Sequence, residues 1–300
     1  MRVLICDPIS ASAVERIKYA GIDVEDLSSL PKEELINRVK DFDAMVVRSA
    51  TKVRQPMIDK MERMKLIIRG GVGIDNIDAD YAKQKGIEVK NTPAASSRSV
   101  AEITIGHMLA LARHIARGTQ SIKEGNWEKK ALKGTELLDK TLGIIGIGRI
   151  GKEVIKIAKA LGMKVIAYDP YVKEVDDVEL VDLNTLLNSS DYISIHVPFT
   201  PETKYLLDKA EFEKMKDGVI VINCARGGVV NESALLEAIK SGKVGGTGID
   251  VFEVEPPKSS KLLNLPNVTF TPHIGAATSE AQARIGEEVA NILIEFAKQT

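Results

Sequence analysis

The sequence predicts an α/β protein made of two parallel-sheet domains with a cleft between them. Three observations point there. Short β-branched runs alternate with amphipathic stretches from one end to the other. The connections between them are short, as in strand–helix–strand crossovers. The chain has 300 residues, room for about two domains.

Taken in order, "RVLIC" is a first strand and "SASAVERIKYA" the helix after it. The strand "IDVED" and the helical "PKEELINRVK" follow, then the strand "AMVVRS" and the helical "PMIDKME". The strand "KLIIRGG", the helical "ADYAKQKG" and the strand "IEVKN" complete the first series. At Asn91 the pattern changes. "NTPAASSRSVAEITIGHMLALARHIARG" predicts one long helix with serines before it as caps. Val100, Ile103, His107, Met108, Leu111 and Ile115 lie along one broad apolar face of it. A helix of that length suits a bridge between domains. His107 and His114 fall on it and are assigned to packing or surface, because neither has metal-ligand spacing to another His or Cys.

From Lys140 a second series runs through "TLGIIGIG", "KVIAYD", "YISIHVP", "GVIVINCA", "GGTGIDVF" and "NVTFTPH". The terminal "SEAQARIGEEVANILIEFAK" is a long amphipathic helix expected to dock on the first domain. The expected domains are therefore 1–94 with 280–300, and 95–279. No solenoid repeat or low-complexity segment interrupts the plan.

Composition narrows the function. Hydrophobic residues make up 44% and charged residues 28%, and the net charge is −1. No basic excess points to nucleic acid. The start "MRVLICDPIS" has too short an apolar core for a signal peptide. No run reaches the ~18 apolar residues of a membrane span. Cys6 and Cys224 are far apart in sequence, which fits a reducing, cytoplasmic setting rather than a disulfide framework. The N-x-[ST] triplets at Asn188, Asn231 and Asn267 are then chance matches.

Two features carry chemistry. The first is Gly146-x-Gly148-x-x-Gly151 between the strand "TLGII" and the helix "IGKEVIKIAKALG". In that setting Gly146 permits the tight turn, Gly148 lets backbone approach a pyrophosphate, and Gly151 lets helix pack on strand. The helix N-terminus then faces the anion. Asp169 ends the next strand, where a carboxylate accepts from ribose hydroxyls and repels a 2′-phosphate. NAD is thus favoured over NADP, and the domains are expected to be Rossmann-like or flavodoxin-like.

The second is a trio. Arg226 follows "VIVINCA", Glu255 follows "GGTGIDVF" and His273 follows "VTFTP". Each lies past the carboxyl end of a strand, the rim where ligands bind in open α/β sheets. Alcohol oxidation needs a base for the hydroxyl proton, and histidine as a residue type suits that task. Glu255 orients the ring and favours its charged form. Arg226 clamps a carboxylate.

These motifs, with "VVRSATKV", "GGVGIDNID", "GTELLDKTLGIIGIGRIGKEV", "YDP", "NCARGGVVNESALLEAI", "GIDVFEVEPP" and "TPHIGAAT", resemble the D-isomer-specific 2-hydroxyacid dehydrogenase family over essentially the whole chain. Within it, the branch that oxidises 3-phosphoglycerate at the entry to serine biosynthesis is most similar. The resemblance implies His273 as acid/base paired with Glu255, and Arg226 as substrate ligand. It also implies cofactor contacts at Val72, Gly146, Gly148, Arg149, Ile150, Gly151, Asp169, Val197, Cys224, Ala225, Arg226, Asp250, His273 and Gly275. Cys224 is a small cofactor-wall residue rather than a nucleophile, since no His pairing is evident.

The first domain is expected to hold the substrate anion. Arg48 and Ser49 end one strand, and Arg69 ends another before Gly70 and Gly71. Two basic loops fit a phosphorylated 2-hydroxy acid better than lactate or glycolate. The resemblance further implies a homodimer, with Lys129 after Trp127 reaching the neighbouring site. Asn231, where many relatives carry Asp, caps the helix "ESALLEAIK" about as well. The sequence stops after its last helix, so serine feedback through an added regulatory domain is not expected. A glyoxylate or hydroxypyruvate reductase is the alternative enzyme, and an NADH-sensing binding protein the non-enzyme alternative.

Overall fold

The computed structural model describes residues 1–299. The chain divides into two compact units, residues 1–96 with the stretch from Ala276 onward, and residues 97–275.

In the first unit the chain runs β1 (Arg2–Ile5), α1 (Ala11–Tyr19), β2 (Asp23–Asp26), α2 (Lys32–Leu35), β3 (Ala44–Val47), α3 (Gln55–Ile58), β4 (Leu66–Arg69), α4 (Ala79–Gln84) and β5 (Glu88–Asn91). The sheet order is β2-β1-β3-β4-β5, and every pair is parallel. Successive strand residues point to opposite faces. Leu4, Met45, Val47 and Ile67 therefore share one core, and Val3, Ile5, Val46, Leu66 and Ile68 the other. Both faces are covered, which is why the central strands read as unbroken apolar runs.

In the second unit the chain runs α5 (Ser97–Ala112), α6 (Ile115–Lys123), β6 (Thr141–Ile145), α7 (Arg149–Ala160), β7 (Lys164–Tyr168), β8 (Glu179–Leu180), α8 (Leu183–Ser189), β9 (Tyr192–Ile195), α9 (Lys209–Lys214), β10 (Val219–Asn223), α10 (Glu232–Lys240), β11 (Val244–Ile249) and β12 (Val268–Phe270). The order is β12-β11-β10-β9-β6-β7-β8, again all parallel. The last helix, α11 (Ser279–Gln299), belongs to the first unit.

Three features differ from the sequence expectation. The long helix after Asn91 is two helices, because His114 adopts a left-handed φ of 53°. The cause is distant in sequence. Thr135 N–H takes the Ala112 carbonyl at 2.9 Å, and His114 Nε2 lies 3.2 Å from the Lys133 carbonyl oxygen. Strand β8 is only two residues long, too short to leave a periodic trace. Helices α8 and α9 are also short and depend on their caps. Asp182 accepts from Thr185 N–H at 3.0 Å, and Asp208 forms a capping box with Glu211. Asn231 caps α10 through Ser233 N–H at 3.0 Å and Ala234 N–H at 3.2 Å.

Helix α11 lies on α1 and closes the second core of its unit with Ile285, Val289 and Leu293. Arg16 pairs with Glu287 at 2.5 Å across this contact. Gly286 permits the close approach, since a Cβ there would lie 2.9 Å from Ala13 Cβ. Gly286→Val should therefore cost about 1–3 kcal/mol of unfolding free energy by overpacking. Urea unfolding of the variant beside wild type measures this, and an unchanged midpoint would contradict the packing account.

Candidate active site

In the second sheet the chain order reverses between β6 and β9, so the loops after these strands flank a crevice at the carboxyl rim. The glycine loop follows β6. Gly146 has φ 95°, and a Cβ there would lie 2.8 Å from both the His196 carbonyl oxygen and Val197 Cγ1. At Gly151 a Cβ would run into the Gly146 carbonyl. At Gly148 it would meet nothing. Arg149 and Ile150 form the first turn of α7. Asp169, just past β7, accepts from Ile147 N–H at 2.8 Å and Tyr171 N–H at 2.9 Å. It thus ties the glycine loop to the next strand, and each oxygen keeps a lone pair for a further donor. A dinucleotide fits this set. The α7 N–H groups suit a pyrophosphate, and Asp169 suits ribose hydroxyls.

Cys224 and Ala225 follow β10 and are buried. Burial pushes the Cys224 thiol up to about 12, which does not suit a nucleophile. His196 is held neutral, at about 3, by burial alone. Its Nε2 lies 2.9 Å from Ser194 Oγ, while its buried Nδ1 has no partner among the described residues.

Arg226, Glu255 and His273 stand past β10, β11 and β12, which are neighbours in the sheet. The Arg226 turn is shaped by Asn223, which accepts from Ala225 N–H at 3.1 Å and donates to the Arg226 carbonyl at 3.0 Å. Arg226 Nη1 donates to the Ala225 carbonyl at 2.6 Å. Gly227 packs so tightly on the Phe252 carbonyl that no side chain fits there. His273 Nδ1 lies 2.9 Å from Glu255 Oε2 and 3.1 Å from Oε1. A carboxylate only accepts, so Nδ1 carries the proton and Nε2 keeps a lone pair.

Burial alone would raise the Glu255 pKa. The His273 hydrogen bond and charge, the Phe252 N–H at 3.1 Å and the Arg226 charge outweigh it and hold the carboxyl below its usual range. His273 itself has φ 53°, a conformation a side chain adopts only when its surroundings impose it. Asp250 is the source. Its carbonyl accepts His273 N–H at 2.9 Å, and its buried carboxylate accepts Ile274 N–H at 2.9 Å and Gly275 N–H at 2.8 Å.

In the first sheet the order reverses between β1 and β3, and the loops after these strands hold the basic residues. Asp7 accepts from Arg48 N–H at 2.6 Å, Thr51 N–H at 3.1 Å, Thr51 Oγ1 at 2.8 Å and Lys32 Nζ at 2.9 Å. Asn76 Nδ2 donates to the Arg48 and Thr51 carbonyls at 2.6 and 2.7 Å. Ser49 is left exposed at the tip. Burial lowers the Arg48 pKa without threatening its charge. Arg69 pairs in register with Val47, so both arginines share one rim, and the Arg69 guanidinium lies across Gly71. Val72 follows, its carbonyl taken by Asn91 Nδ2. Trp127 and Lys129 are exposed.

Sequence reasoning did not single out Asp7, Asn76, Asn223 or Thr271. A polar residue directly ending an apolar strand was the available signal for Asp7 and Asn223. A hollow of about 370 Å³ lies at the opposite edge of the second sheet, among Lys133, Asp191, Lys216 and Asn267, and contains none of the trio. Among the described residues no cluster of three or more His, Cys, Asp or Glu could hold a metal, and no helix is long and apolar enough to cross a membrane.

Residues 105–275 match the family profile of the D-isomer specific 2-hydroxyacid dehydrogenase, NAD binding domain. The chain is 54% identical over 292 residues to a hydroxypyruvate reductase of Thermotoga maritima, covering 96% of this chain and 95% of that protein. It is 50% identical over 295 residues to a D-3-phosphoglycerate dehydrogenase of Methanocaldococcus jannaschii. That match covers 97% of this chain but only 56% of the relative. The crystal structure of D-lactate dehydrogenase from Aquifex aeolicus, complexed with NAD and lactic acid, superposes with a TM-score of 0.87 at 35% identity, covering 100% of this chain and 96% of that one.

Two outcomes follow from this geometry. Glu255 has a depressed carboxyl pKa, so its contribution to stability is present above the unfolded value and lost as pH falls through the folded one. Glu255→Gln should therefore destabilise the protein at neutral pH, with the difference from wild type vanishing in strong acid. Denaturant unfolding at both ends of that range checks the sign. Asp169→Ala should raise kcat/KM with NADP relative to NAD by about tenfold, as removal of one charge repulsion allows. Unchanged discrimination in paired initial rates would remove Asp169 from the ribose site.

Proposed function

The chain belongs to the D-isomer specific 2-hydroxyacid dehydrogenase family, and within it we propose that the substrate is 3-phospho-D-glycerate, oxidised to 3-phosphohydroxypyruvate. The coarser activity is that of an NAD-dependent D-2-hydroxyacid dehydrogenase. The observation that carries the finer reading is the pair Arg48 and Arg69 on one rim of the first unit. Two permanent cations ending adjacent strands suit a dianionic phosphate far better than the methyl group of lactate.

In this reading Arg226 binds the substrate carboxylate, and His273 Nε2 takes the hydroxyl proton. Glu255 keeps Nδ1 protonated and then stabilises the imidazolium. Bound NAD supplies the hydride acceptor. The Asp169 carboxylate and the α7 N-terminus hold the dinucleotide, with Val197, Cys224 and Ala225 as its wall. In the reverse direction the same imidazolium donates its proton. The place of the enzyme at the entry to serine synthesis follows from the substrate.

A second reading, reduction of unphosphorylated hydroxypyruvate, is favoured by the Thermotoga maritima relative, which matches over almost its whole length. A homodimer and a cytoplasmic location belong to the proposal too. Ile115, Ile122 and Trp127 are 55%, 56% and 80% exposed on or near α6, an apolar surface that a second copy would cover. Cys6 and Cys224 are both unpaired.

Initial rates of NAD reduction with 3-phosphoglycerate, glycerate, lactate and glycolate separate the readings. The phosphorylated acid should win, and Arg48→Ala should erase that preference. A preference for glycerate that survives Arg48→Ala would transfer the protein to the reductase reading. His273→Ala should lower kcat by about 10²–10⁴-fold. Retention of wild-type kcat would overturn the acid–base role.

A further inference from the structure

His107 is buried in the second unit, on α5, and the chemistry described so far does not use it. A buried imidazole has two nitrogens to satisfy, and here both are satisfied by threonines on and just past β12. Nδ1 lies 2.7 Å from Thr269 Oγ1, and Nε2 lies 3.0 Å from Thr271 Oγ1. The ring sits close enough to β11 that a Cβ on Gly248 would lie 2.6 Å from His107 Cβ. The strand therefore lies tightly against the root of the His107 side chain.

The proton order in this chain can be worked out from its end. Asp250 as a carboxylate only accepts, and Thr271 Oγ1 donates to its Oδ1 at 2.6 Å. The Thr271 hydroxyl has one hydrogen, so towards His107 it must accept. Nε2 therefore carries the ring proton. Burial holds the imidazole neutral, so Nδ1 is an acceptor and Thr269 donates to it. The chain runs in one direction, from Thr269 through His107 and Thr271 to Asp250.

Asp250 is also the group that imposes the left-handed backbone on His273, through its carbonyl and through the Ile274 and Gly275 N–H groups. Thr271 lies two residues before His273, and its carbonyl also accepts the His273 N–H, at 3.0 Å. We propose that His107 is a positioning residue for His273: by donating from Nε2 it locks the Thr271 hydroxyl onto Asp250 and so fixes the loop that aims the acid–base imidazole. This rests on the acid–base reading of His273. A satisfied core histidine with no such role would leave turnover alone once the site had refilled with an apolar side chain.

The test has a spectroscopic arm and a kinetic arm. The protein has four histidines, so ¹⁵N spectra of the labelled rings are tractable. The resonance lost in His107→Gln should show the Nε2–H tautomer in wild type, and an Nδ1–H tautomer would overturn the proton order. For kinetics, His107→Leu should lower kcat about tenfold, the scale of a sub-ångström misplacement of a catalytic group. His107→Gln, which can still donate to Thr271, should recover most of it. Adding His107→Leu to Thr271→Val should cost nothing further, because the two act through one hydrogen bond. Fully additive losses, or wild-type kcat in His107→Leu, would overturn the proposal. If His107→Leu fails to fold, Thr271→Val keeps the ring but removes the hydroxyl that fixes the proton on Nε2. It should mix the two tautomers and lower kcat severalfold, and a single tautomer with unchanged kcat would count against the proposal. His273→Ala is run in parallel. Its inactivity beside an unaffected His107→Leu sinks only the positioning role, whereas its full activity sinks the acid–base reading on which that role rests.

Discussion

A loop leaving the carboxyl end of a parallel strand carries its N–H groups out of the sheet ladder, where each one left buried and unpaired costs about 1–3 kcal/mol. In this protein a carboxylate at a strand end collects them. Asp7, beyond β1, holds the N–H groups of Arg48 and Thr51. Asp169, beyond β7, holds those of Ile147 and Tyr171. Asp250, beyond β11, holds those of Ile274 and Gly275. Each of these carboxylates fixes a loop that bears a residue facing the rim: Arg48 and Ser49, the glycine turn, and His273. The loops are rigid because anions hold them, and the anions tolerate burial because the loops supply their donors.

This arrangement explains what could be read in the sequence. The apolar runs and the glycine triplet are local patterns with a fixed period or spacing, so β1, β3, β4, β6, β7 and β10 stand out in the chain. Arg226, Glu255 and His273 were legible as polar residues just past such runs. The bonds that the staples make were not. Asp7 and Arg48 are far apart in sequence, as are Asp250 and Asn223, whose carbonyl takes the Asp250 N–H at 3.0 Å. Only the sheet order makes them neighbours. The same holds for the break at His114. Helix propensity continues through "LARHIARG", and the interruption comes from residues 133–135 crossing the helix end.

Two histidines in the second unit show how a carboxylate chooses a tautomer. Glu255 accepts directly from His273, so the proton sits on Nδ1 and Nε2 is open. Asp250 acts one hydroxyl away from His107, and the direction of the intervening bond places that proton on Nε2 instead. The first arrangement leaves a lone pair for chemistry. The second leaves none, since both ring nitrogens are engaged inside the core. Exposure separates them as well: His273 retains 40% of its side-chain surface, while His107 is 5% exposed. The burial that lowers the His107 pKa removes it from proton transfer at the rim, and its ring is fitted only to hold other groups in place.

In the proposed reaction Arg226 serves a site where one group, His273, changes charge while Glu255 stays ionised beside it. With a neutral imidazole the three residues together carry no net charge, and with the imidazolium they carry a single positive one. A lysine in place of Arg226 could shed its proton as the imidazolium formed nearby, and the attraction for a bound carboxylate would weaken when it was needed. An arginine cannot respond in that way. Its turn is held rigidly by Asn223 and by Gly227 against the Phe252 carbonyl, so its position is fixed as well as its charge. A permanent cation held in place keeps its charge while, in the proposed reaction, the imidazole takes up and gives back the substrate proton.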